Sequence, residues 1–387
     1  MPTSLKADTE SLFLAAAKAT ESGVVASTHQ KHRRFWNHWV AFLHARWPGV
    51  TTDLQGLPFQ EQMFILGAFA EYIRRGDYNG TKTRVKTGTV EVALGAITTT
   101  LQMDRKQSPV VTKEGHVYLP LARQLETYRR QDPPSKPKLA LPVSALKHIR
   151  QQSQHSQSPK ALAIADLIII AWFYLLRVGE YTYSKPSQKK RTTPFKVRDV
   201  TLWHHQQRLP HNLPLHVLLV KCTAASLQLD NSKTGARNEV IHHTAIGTPI
   251  CPVAALVRRV HHIRTHTTDD NALLGSYYPR PLHGRRHITY DDINKHLKHT
   301  AKAMNLQQYN IPPERISSHS LRAGGALALY LNGTPAMSIR LMGRWSSDTF
   351  LRYIHPQFSH FSQGFAQRMS KAIQLHNVSI NPSIHNP

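Results

Sequence analysis

SSHSLRAGGALALYLNGTPAMSIRLMGRWSSDTFLRY, residues 317–353, decides the fold of this chain, because helix-start and helix-stop residues recur in it at short intervals. Ser320 is predicted to cap a largely apolar helix over residues 321–331. Pro335 is typical of the first turn of a helix and Gly343 of its end, so a second helix is predicted between them. The stretch therefore predicts a helical C-terminal region.

Three side chains of this stretch can carry chemistry. His319 and Arg322 fall at the N-terminal end of the first predicted helix, where the helix dipole favours an anion. A third short helix, predicted to begin within residues 346–348, would carry Tyr353. Each of these residues alone has an ordinary structural role, so their combination and spacing carry the argument.

An apolar segment, LAIADLIIIAWFYLL (162–176), predicts a buried helix, and Arg177 follows it directly. Glu180, three residues later, can pair with the Arg177 guanidinium and orient it. A guanidinium fixed beside a core suits bidentate phosphate binding, and a structural anchor at the helix end is the alternative.

Three strand-like segments follow and predict a small β-sheet: VRDVTLW (197–203), LHVLLV (215–220) and ARNEVIHHT (236–244). Residues 230–235 are predicted to form a turn between the last two, and Lys233 lies in it. A lysine held on a hairpin tip can reach into a site as a proton donor, or serve as an edge charge that resists aggregation. Lys221, placed by the sequence on a nearby strand, is a second candidate for the proton donor.

The charge of the chain indicates a polyanionic partner. The 387 residues include 49 Lys and Arg against 23 Asp and Glu, a formal net charge of +26. Residues 1–138 carry a net +7 and the remainder +19. A hydrophobic fraction of 40% and six Trp exclude a disordered basic tail, and two Cys exclude a disulfide scaffold. No apolar run reaches the ~18 residues of a membrane-spanning helix.

Histidines and cysteines give no sign of a metal site. The pairs at 204–205, 242–243 and 261–262 lack Cys or acidic companions at ligand spacing, so we expect no bound metal. Cys251 and Pro252 are predicted instead to begin a buried helix.

The N-terminal third predicts a helical domain. Apolar residues recur at helical spacing over 29–47, 60–75 and 88–103, and Thr28 is the expected cap of the first helix. Before the third helix, Lys82, Arg84 and Lys86 are predicted to contact phosphate, with a solvated basic loop as the alternative. QDPPSKPK (131–138) is predicted to be a linker.

Taken together, the motifs resemble a known family. The order Arg177, Lys233, His319-x-x-Arg322, Gly343-Arg344-Trp345 and Tyr353 resembles the tyrosine recombinase family of phage integrases and Xer-type enzymes. The motifs extend over about residues 165–365, and the N-terminal region resembles the family's helical core-binding domain more loosely. The segment GRWSSDTFLRYIHP (343–356) resembles eukaryotic mobile-element branches of the Crypton or DIRS type more than bacterial members of the family.

The resemblance implies DNA strand exchange by two transesterifications. Tyr353 would be the nucleophile and would form a 3′-phosphotyrosyl link. Arg177 and Arg322 would neutralise the phosphorane-like transition state. His319 would hydrogen-bond the phosphate and assist proton transfer from the tyrosine, and Lys233 would protonate the leaving 5′-oxygen. Because the phosphotyrosine retains the bond energy, no ATP, metal or other cofactor is expected.

One position departs from the family pattern. In the family a His or Trp usually follows the glycine directly, nine residues before the tyrosine, but here Arg344 stands there and Trp345 comes next. By chemical type we assign the packing and hydrogen-bonding role to Trp345, with Arg344 as the alternative. Arg344 and Glu180 are otherwise expected to support the catalytic residues.

The expected fold is mainly α with a small antiparallel β-sheet in the catalytic domain, an α+β arrangement in which two domains form a C-shaped DNA clamp. The predicted divisions are a core-binding domain (1–130), a linker (131–138), a catalytic domain (139–375) and a tail (376–387).

Double-stranded DNA is the expected partner, with self-association into a synaptic tetramer on it, and with neither a membrane nor a small-molecule substrate. The expected location is the nucleus for a eukaryotic protein, and otherwise the cytoplasm with its DNA. Two other functions stay open. One is a domesticated, non-catalytic DNA-binding protein, and the other is a type IB topoisomerase, which relaxes DNA as a monomer.

Overall fold

The structure, a computed structural model, describes residues 3–23, 26–104, 106–134, 136–184, 192–229, 239–279, 284–345, 347 and 350–351. They form two compact units that divide between residues 135 and 136, inside the stretch predicted to be a linker. Within these ranges, none of the helices has both the length and the apolar character needed to cross a membrane.

The described helices of the first unit are α1 (Thr3–Ser22), α2 (Ala26–Arg46), α3 (Phe59–Arg75), α4 (Thr87–Met103) and α5 (Leu119–Gln131). Trp39 and Phe42 of α2 meet Phe69 of α3 edge to face, which fills the core with aromatic rings. The three helices predicted in this unit are confirmed within a few residues. The cap prediction is wrong, because α2 begins at Ala26 and Thr28 lies inside it.

A carboxylate from the far end of this unit fixes the start of α4. Asp132, just after α5, accepts hydrogen bonds from the Thr87 backbone N–H (2.9 Å) and hydroxyl (2.7 Å), and it also pairs with Arg74. Burial raises the pKa of Asp132, but these hydrogen bonds outweigh it and hold that pKa at about 2. The basic segment between α3 and α4 is therefore anchored at both ends of the turn, since the Val85 N–H also donates to the Arg74 carbonyl (2.9 Å).

The second unit is mixed. Its helices are α6 (Val143–Ser156), α7 (Pro159–Phe173), α8 (Val178–Tyr181), α9 (Leu215–Lys221), α10 (Pro252–Arg264), α11 (Tyr290–Ala303), α12 (His319–Leu331) and α13 (Ala336–Met342). Its strands are β1 (Val200–His204), β2 (Gln207–Leu209), β3 (Ala224–Leu229), β4 (Glu239–Thr244), β5 (Ser276–Tyr277) and β6 (Arg286–His287). The first four strands form an antiparallel sheet in the order β2-β1-β3-β4, and β5 pairs with β6. The predicted fold class, mainly α with a small antiparallel sheet, is confirmed.

Helix α7 is the centre of the second unit. Every residue from Ala163 to Trp172 is buried, and α6, α10 and α12 pack around it. The buried helix expected from the apolar run is thus confirmed. So is the helix start at Cys251, whose buried sulfur accepts from the Ala254 N–H (3.4 Å) at the beginning of α10.

One strand prediction is wrong. Residues 215–220 form helix α9 rather than a strand, and the strand that pairs with both β1 and β4 is β3, which follows it. Of this run only Leu218 is buried, whereas Val220 is 83% exposed. Short apolar runs fit a helix or a strand equally well by pattern, and here Pro214 before the first turn favours the helix.

Two glycines allow α12 to approach α7 closely. A Cβ at Gly325 would lie 2.3 Å from the Trp172 carbonyl oxygen and 2.5 Å from the side chain of Leu175. A Cβ at Gly324 would lie 2.3 Å from the Leu141 carbonyl oxygen. Neither backbone carbonyl can yield without moving α7 or the segment before α6, so only glycine fits at these two positions.

We expect Gly325→Ala to lower the free energy of unfolding of the second unit by about 1–3 kcal/mol, since overpacked cores lose that much. Urea unfolding followed by circular dichroism measures the loss. Gly247→Ala is the matched control, because a Cβ there meets nothing within 4 Å. The control is expected to stay within about 0.5 kcal/mol of the parent protein, and equal losses in the two variants would contradict the close approach.

Candidate active site

Arg177 is held by the short helix that it begins. It is the N-cap residue of α8, and its backbone N–H donates to Oε2 of Glu180 (2.8 Å). Its Nη1 also donates to Oε1 of the same carboxylate (3.3 Å). Glu180 is only 1% exposed. The pairing expected from the sequence is present, and it fixes both the backbone and the guanidinium of Arg177.

Arg322 enters from the first turn of α12. Its Nη1 donates to the Leu175 carbonyl (2.7 Å) and its Nη2 to the Gly343 carbonyl. The cap prediction for this helix is wrong: α12 begins at His319, and the Ser320 hydroxyl accepts from the Ser317 N–H (3.1 Å) within the turn. The helix thus starts two residues earlier than its serine pattern suggested.

The segment 343–345, directly after α13, supplies the third group of contacts. Arg344 is buried, and its Nη2 donates to Glu180 Oε2 (2.9 Å) and to the Leu175 carbonyl (3.3 Å). The Arg344 carbonyl accepts from Nη2 of Arg177 (3.2 Å). The Trp345 ring lies 4.2 Å from the guanidinium carbon of Arg322, a cation–π contact.

Unusual backbone conformations make this convergence possible. Leu175 (φ 49°) and Arg344 (φ 55°) both adopt the left-handed conformation, which costs non-glycine residues free energy. Gly343 has ordinary φ, but a Cβ there would lie 1.6 Å from the Trp345 ring, so a glycine is required for the ring to reach Arg322.

The cluster is strongly cationic. Two guanidiniums, those of Arg177 and Arg344, donate to the Glu180 carboxylate, and Arg322 shares the Leu175 carbonyl with Arg344. The three guanidiniums and the one carboxylate together carry a net charge of +2. The pKa of Arg344 is lowered, chiefly by burial. The negative charge of Glu180 opposes this shift, the like charge of Arg177 adds to it, and Glu239 opposes it weakly. A cationic, partly buried cluster of this kind is suited to an oxyanion such as phosphate.

Of the other predicted site residues, one is exposed and two lie outside the described residues. His319 is exposed at the first residue of α12. Tyr353 and Lys233 belong to segments that the structure does not describe; the segment with Lys233 connects β3 to β4 in the sequence. Lys221, the alternative to Lys233, ends α9 rather than a strand, and its side chain is exposed.

The basic segment of the first unit is exposed as well. Lys82, Arg84 and Lys86 all face solvent between α3 and α4. Lys82 is left-handed (φ 47°), Arg84 donates to the Gln131 side chain, and Lys86 directly precedes the first turn of α4. Phosphate contact by these residues stays a prediction.

The sequence analysis did not predict the polar face of α2. It borders a groove of about 560 Å³ lined by Ser27, Gln30, Lys31, Arg33, Arg34, Asn37 and His38. Most of these residues recur at three- and four-residue intervals, a pattern visible in the sequence once the helix is assigned. The aromatic residues of the same helix recur at helical spacing and predict only its buried side.

Metal ligands are not grouped in the described part of the chain: no cluster of three His, Cys, Asp or Glu there could hold an ion. Histidines of the predicted pairs have other contacts. His204 Nδ1 lies 2.6 Å from the Lys221 carbonyl, and His243 Nε2 lies 3.0 Å from the Phe173 carbonyl.

No family model matches the chain. No curated protein matches it either. Among solved structures, it is similar to the crystal structure of XerA recombinase, with 12% identity and a TM-score of 0.36 over 92% of this chain and 96% of that one. It is also similar to the Tn1549 transposon integrase in complex with circular intermediate DNA, with 14% identity and a TM-score of 0.47 over 92% of this chain and 98% of that one. A third similar structure is XerH site-specific recombinase bound to difH substrate, with 13% identity and a TM-score of 0.43 over 80% of this chain and 70% of that one. At these levels of similarity, function has to be argued from the chain's own residues.

We expect the arginine cluster to bind a simple oxyanion. Sodium sulfate should raise the melting temperature of the protein above that in sodium chloride of equal ionic strength, and Arg177→Gln should reduce this difference. Sulfate also stabilises proteins generally by exclusion from their surface, so Arg286→Gln, at an exposed position in β6, is the control and should keep the full difference. An unreduced difference in Arg177→Gln would contradict oxyanion binding at the cluster.

Proposed function

We propose that this chain is a site-specific DNA recombinase of the tyrosine recombinase type, which cuts and rejoins duplex DNA through a covalent bond to Tyr353. The observation that carries the proposal is the convergence of Arg177, Arg322 and the segment 343–345, which are joined through the buried Glu180 carboxylate and the carbonyls of Leu175, Gly343 and Arg344. These residues come from distant parts of the sequence, and the sequence alone could not bring them together.

In the proposed reaction, the Tyr353 oxygen attacks a phosphodiester phosphorus. A bond forms between the tyrosine oxygen and phosphorus, and the bond from phosphorus to the 5′-oxygen breaks. His319 assists removal of the phenol proton, which is needed because a phenol of pKa about 10 is a weak nucleophile at neutral pH. Lys233 donates a proton to the leaving 5′-oxygen. Attack by a second 5′-hydroxyl on the phosphotyrosine then rejoins the strands.

The cationic cluster has a defined part in this reaction. As the nucleophile adds, the phosphodiester monoanion becomes a phosphorane-like species that carries about two negative charges on its non-bridging oxygens. Arg177 and Arg322 are placed by fixed hydrogen bonds, so they need little reorganisation when that charge develops. This supports catalysis by preorganised electrostatics.

DNA is the proposed partner because of the charge. The excess of basic over acidic residues gives +26 overall and +19 beyond residue 138, where the arginine cluster lies. Such a charge favours phosphate backbones and makes binding sensitive to salt. We extend the proposal to a mobile-element recombinase that acts as a tetramer on two DNA sites, in the nucleus if the protein is eukaryotic.

The reaction predicts a covalent protein–DNA adduct. We expect the full-length protein, incubated with end-labelled duplexes of randomised sequence, to retain label after denaturation in SDS, and repeated selection should enrich one sequence. Tyr353→Phe should lose the adduct and still bind the duplexes. An adduct that survives in Tyr353→Phe would overturn the proposed nucleophile. Binding without any adduct would favour a non-catalytic protein, and relaxation of supercoiled plasmid without site preference would favour a topoisomerase.

The general acid can be assigned with a modified leaving group. We expect Lys233→Ala to slow cleavage of the enriched duplex about 10²-fold or more, the usual range for lost acid catalysis. On the same duplex with sulfur in place of the 5′-bridging oxygen, the variant should cleave at nearly the parent rate, because a thiolate leaves without a proton. Lys221→Ala is the matched control, and the opposite pattern for the two lysines would assign the role to Lys221.

A further inference from the structure

Arg344 is the residue of the cluster that the proposed reaction leaves unexplained. It is 8% exposed, and its Nε and Nη1 are shielded from solvent without a hydrogen-bond partner among the described residues. Within the described part of the chain, Nη2 alone is engaged, and it donates to Glu180 and to the Leu175 carbonyl. The one nitrogen with described partners is directed at Glu180, so the Arg344 charge acts first on that carboxylate.

The contacts of Glu180 indicate what Arg344 does instead. Oε1 of Glu180 accepts from Arg177 Nη1, whereas Oε2 accepts from Arg344 Nη2 and from the Arg177 backbone N–H. If Arg344 were neutral, the buried carboxylate would have the Arg177 guanidinium as its main counter-charge. The field of Arg177 at the phosphate would then be largely cancelled, and the net charge of the cluster would fall from +2 to +1.

We propose that Arg344 is a positioning residue that neutralises Glu180, so that Glu180 orients Arg177 without cancelling its charge at the reacting phosphate. The inference rests on the proposed function and deepens it. A cluster of +2 matches the two negative charges of the transition state better than the single charge of the bound diester. Arg344 therefore favours turnover over binding, since only interactions that strengthen in the transition state accelerate the reaction.

Backbone geometry adds a second route from Arg344 to Arg177. The Arg344 carbonyl accepts from Nη2 of Arg177 (3.2 Å), and this carbonyl is aimed by the left-handed conformation of residue 344. The side chain, tied to Glu180, keeps that conformation in place. Loss of the side chain is thus expected to disturb both the charge and the orientation of Arg177.

The test compares single-turnover adduct formation on the selected duplex in three variants. Arg344→Gln should be slower than the parent by about 10-fold or more, less than the ~10²–10³-fold for loss of a group that contacts the transition state directly, because Arg344 acts through Arg177. Arg344→Lys, which keeps the charge, should be faster than Arg344→Gln. The double variant Glu180→Gln/Arg344→Gln restores the net charge of +2 and should recover part of the lost rate. Arg286→Gln is the control and should match the parent.

A binding measurement separates charge compensation from direct phosphate contact. In a Tyr353→Phe background, Arg177→Gln should reduce the magnitude of the slope of log K against log salt for the same duplex by about 0.9, the value for one phosphate contact. Arg344→Gln should also reduce it, because Glu180 then cancels the charge of Arg177, and the double variant should restore it. The double variant also guards against misfolding, because it removes the uncompensated buried carboxylate of the single variant.

Failure of the inference and failure of the proposed function give different results. If the parent protein forms no adduct, the proposed function fails. If the parent forms the adduct but Arg344→Gln reacts at the parent rate, or the double variant is as slow as Arg344→Gln, the inference is overturned. A salt slope that stays reduced in the double variant would overturn it as well, by making Arg344 a phosphate ligand.

Discussion

The buried carboxylate of Glu180 is the constraint on which the site depends. An ionised carboxylate taken out of water needs compensating charges and hydrogen bonds, and removal of one partner is strongly destabilising. Here those partners come from α8 itself and from the segment after α13. The C-terminal segment is therefore held in the second unit by the same group that orients Arg177.

The Leu175 carbonyl is the second acceptor that holds the arginines, and unlike Glu180 it is uncharged. It accepts from Arg322 and from Arg344, and it can do so only because the chain turns sharply through a left-handed residue after α7. The approach of α12 to α7 at Gly324 and Gly325 brings Arg322 within reach of that carbonyl. The packing of α12 on α7 and the position of Arg322 are therefore coupled. A methyl group at position 325 would displace Arg322 from the Leu175 carbonyl as well as disturb the core.

Much of the fold could be predicted from local pattern. Long periodic helices such as α2, α3 and α7 give clear signals, and so does the Pro335-to-Gly343 punctuation of α13. The failures occur where local pattern is ambiguous. The run 215–220 is too short to distinguish helix from strand, and the serine-rich stretch before Arg322 offers several caps of equal quality. Helix α5 was missed, because the sequence shows only three residues that it buries, Leu121, Leu125 and Tyr128.

The site was predictable in its members but not in its connections. The order of Arg177, Glu180, Arg322 and the residues around Gly343 is visible in the sequence, because each stands beside a helix boundary. That Arg344 points to Glu180 while Trp345 stacks on Arg322 is not visible, because it depends on the handedness of one residue's backbone. Sequence spacing left Arg344 and Trp345 as alternatives for one role, whereas the structure gives each a separate contact.

The contacts of this site also link its assembly to the order in which the chain is made. Arg322 reaches a carbonyl 147 residues earlier, and Arg344 reaches a carboxylate 164 residues earlier. Domains fold as their residues emerge during synthesis, N-terminal parts first, and contacts between distant residues form late. A ribosome-bound or truncated chain that stops before α12 already carries basic surface in the first unit but has no assembled arginine cluster. The arginine cluster, to which we attribute the proposed strand cleavage, therefore forms only after residues 343–345 have been synthesised. Under the proposed function, a partly synthesised chain cannot cleave DNA.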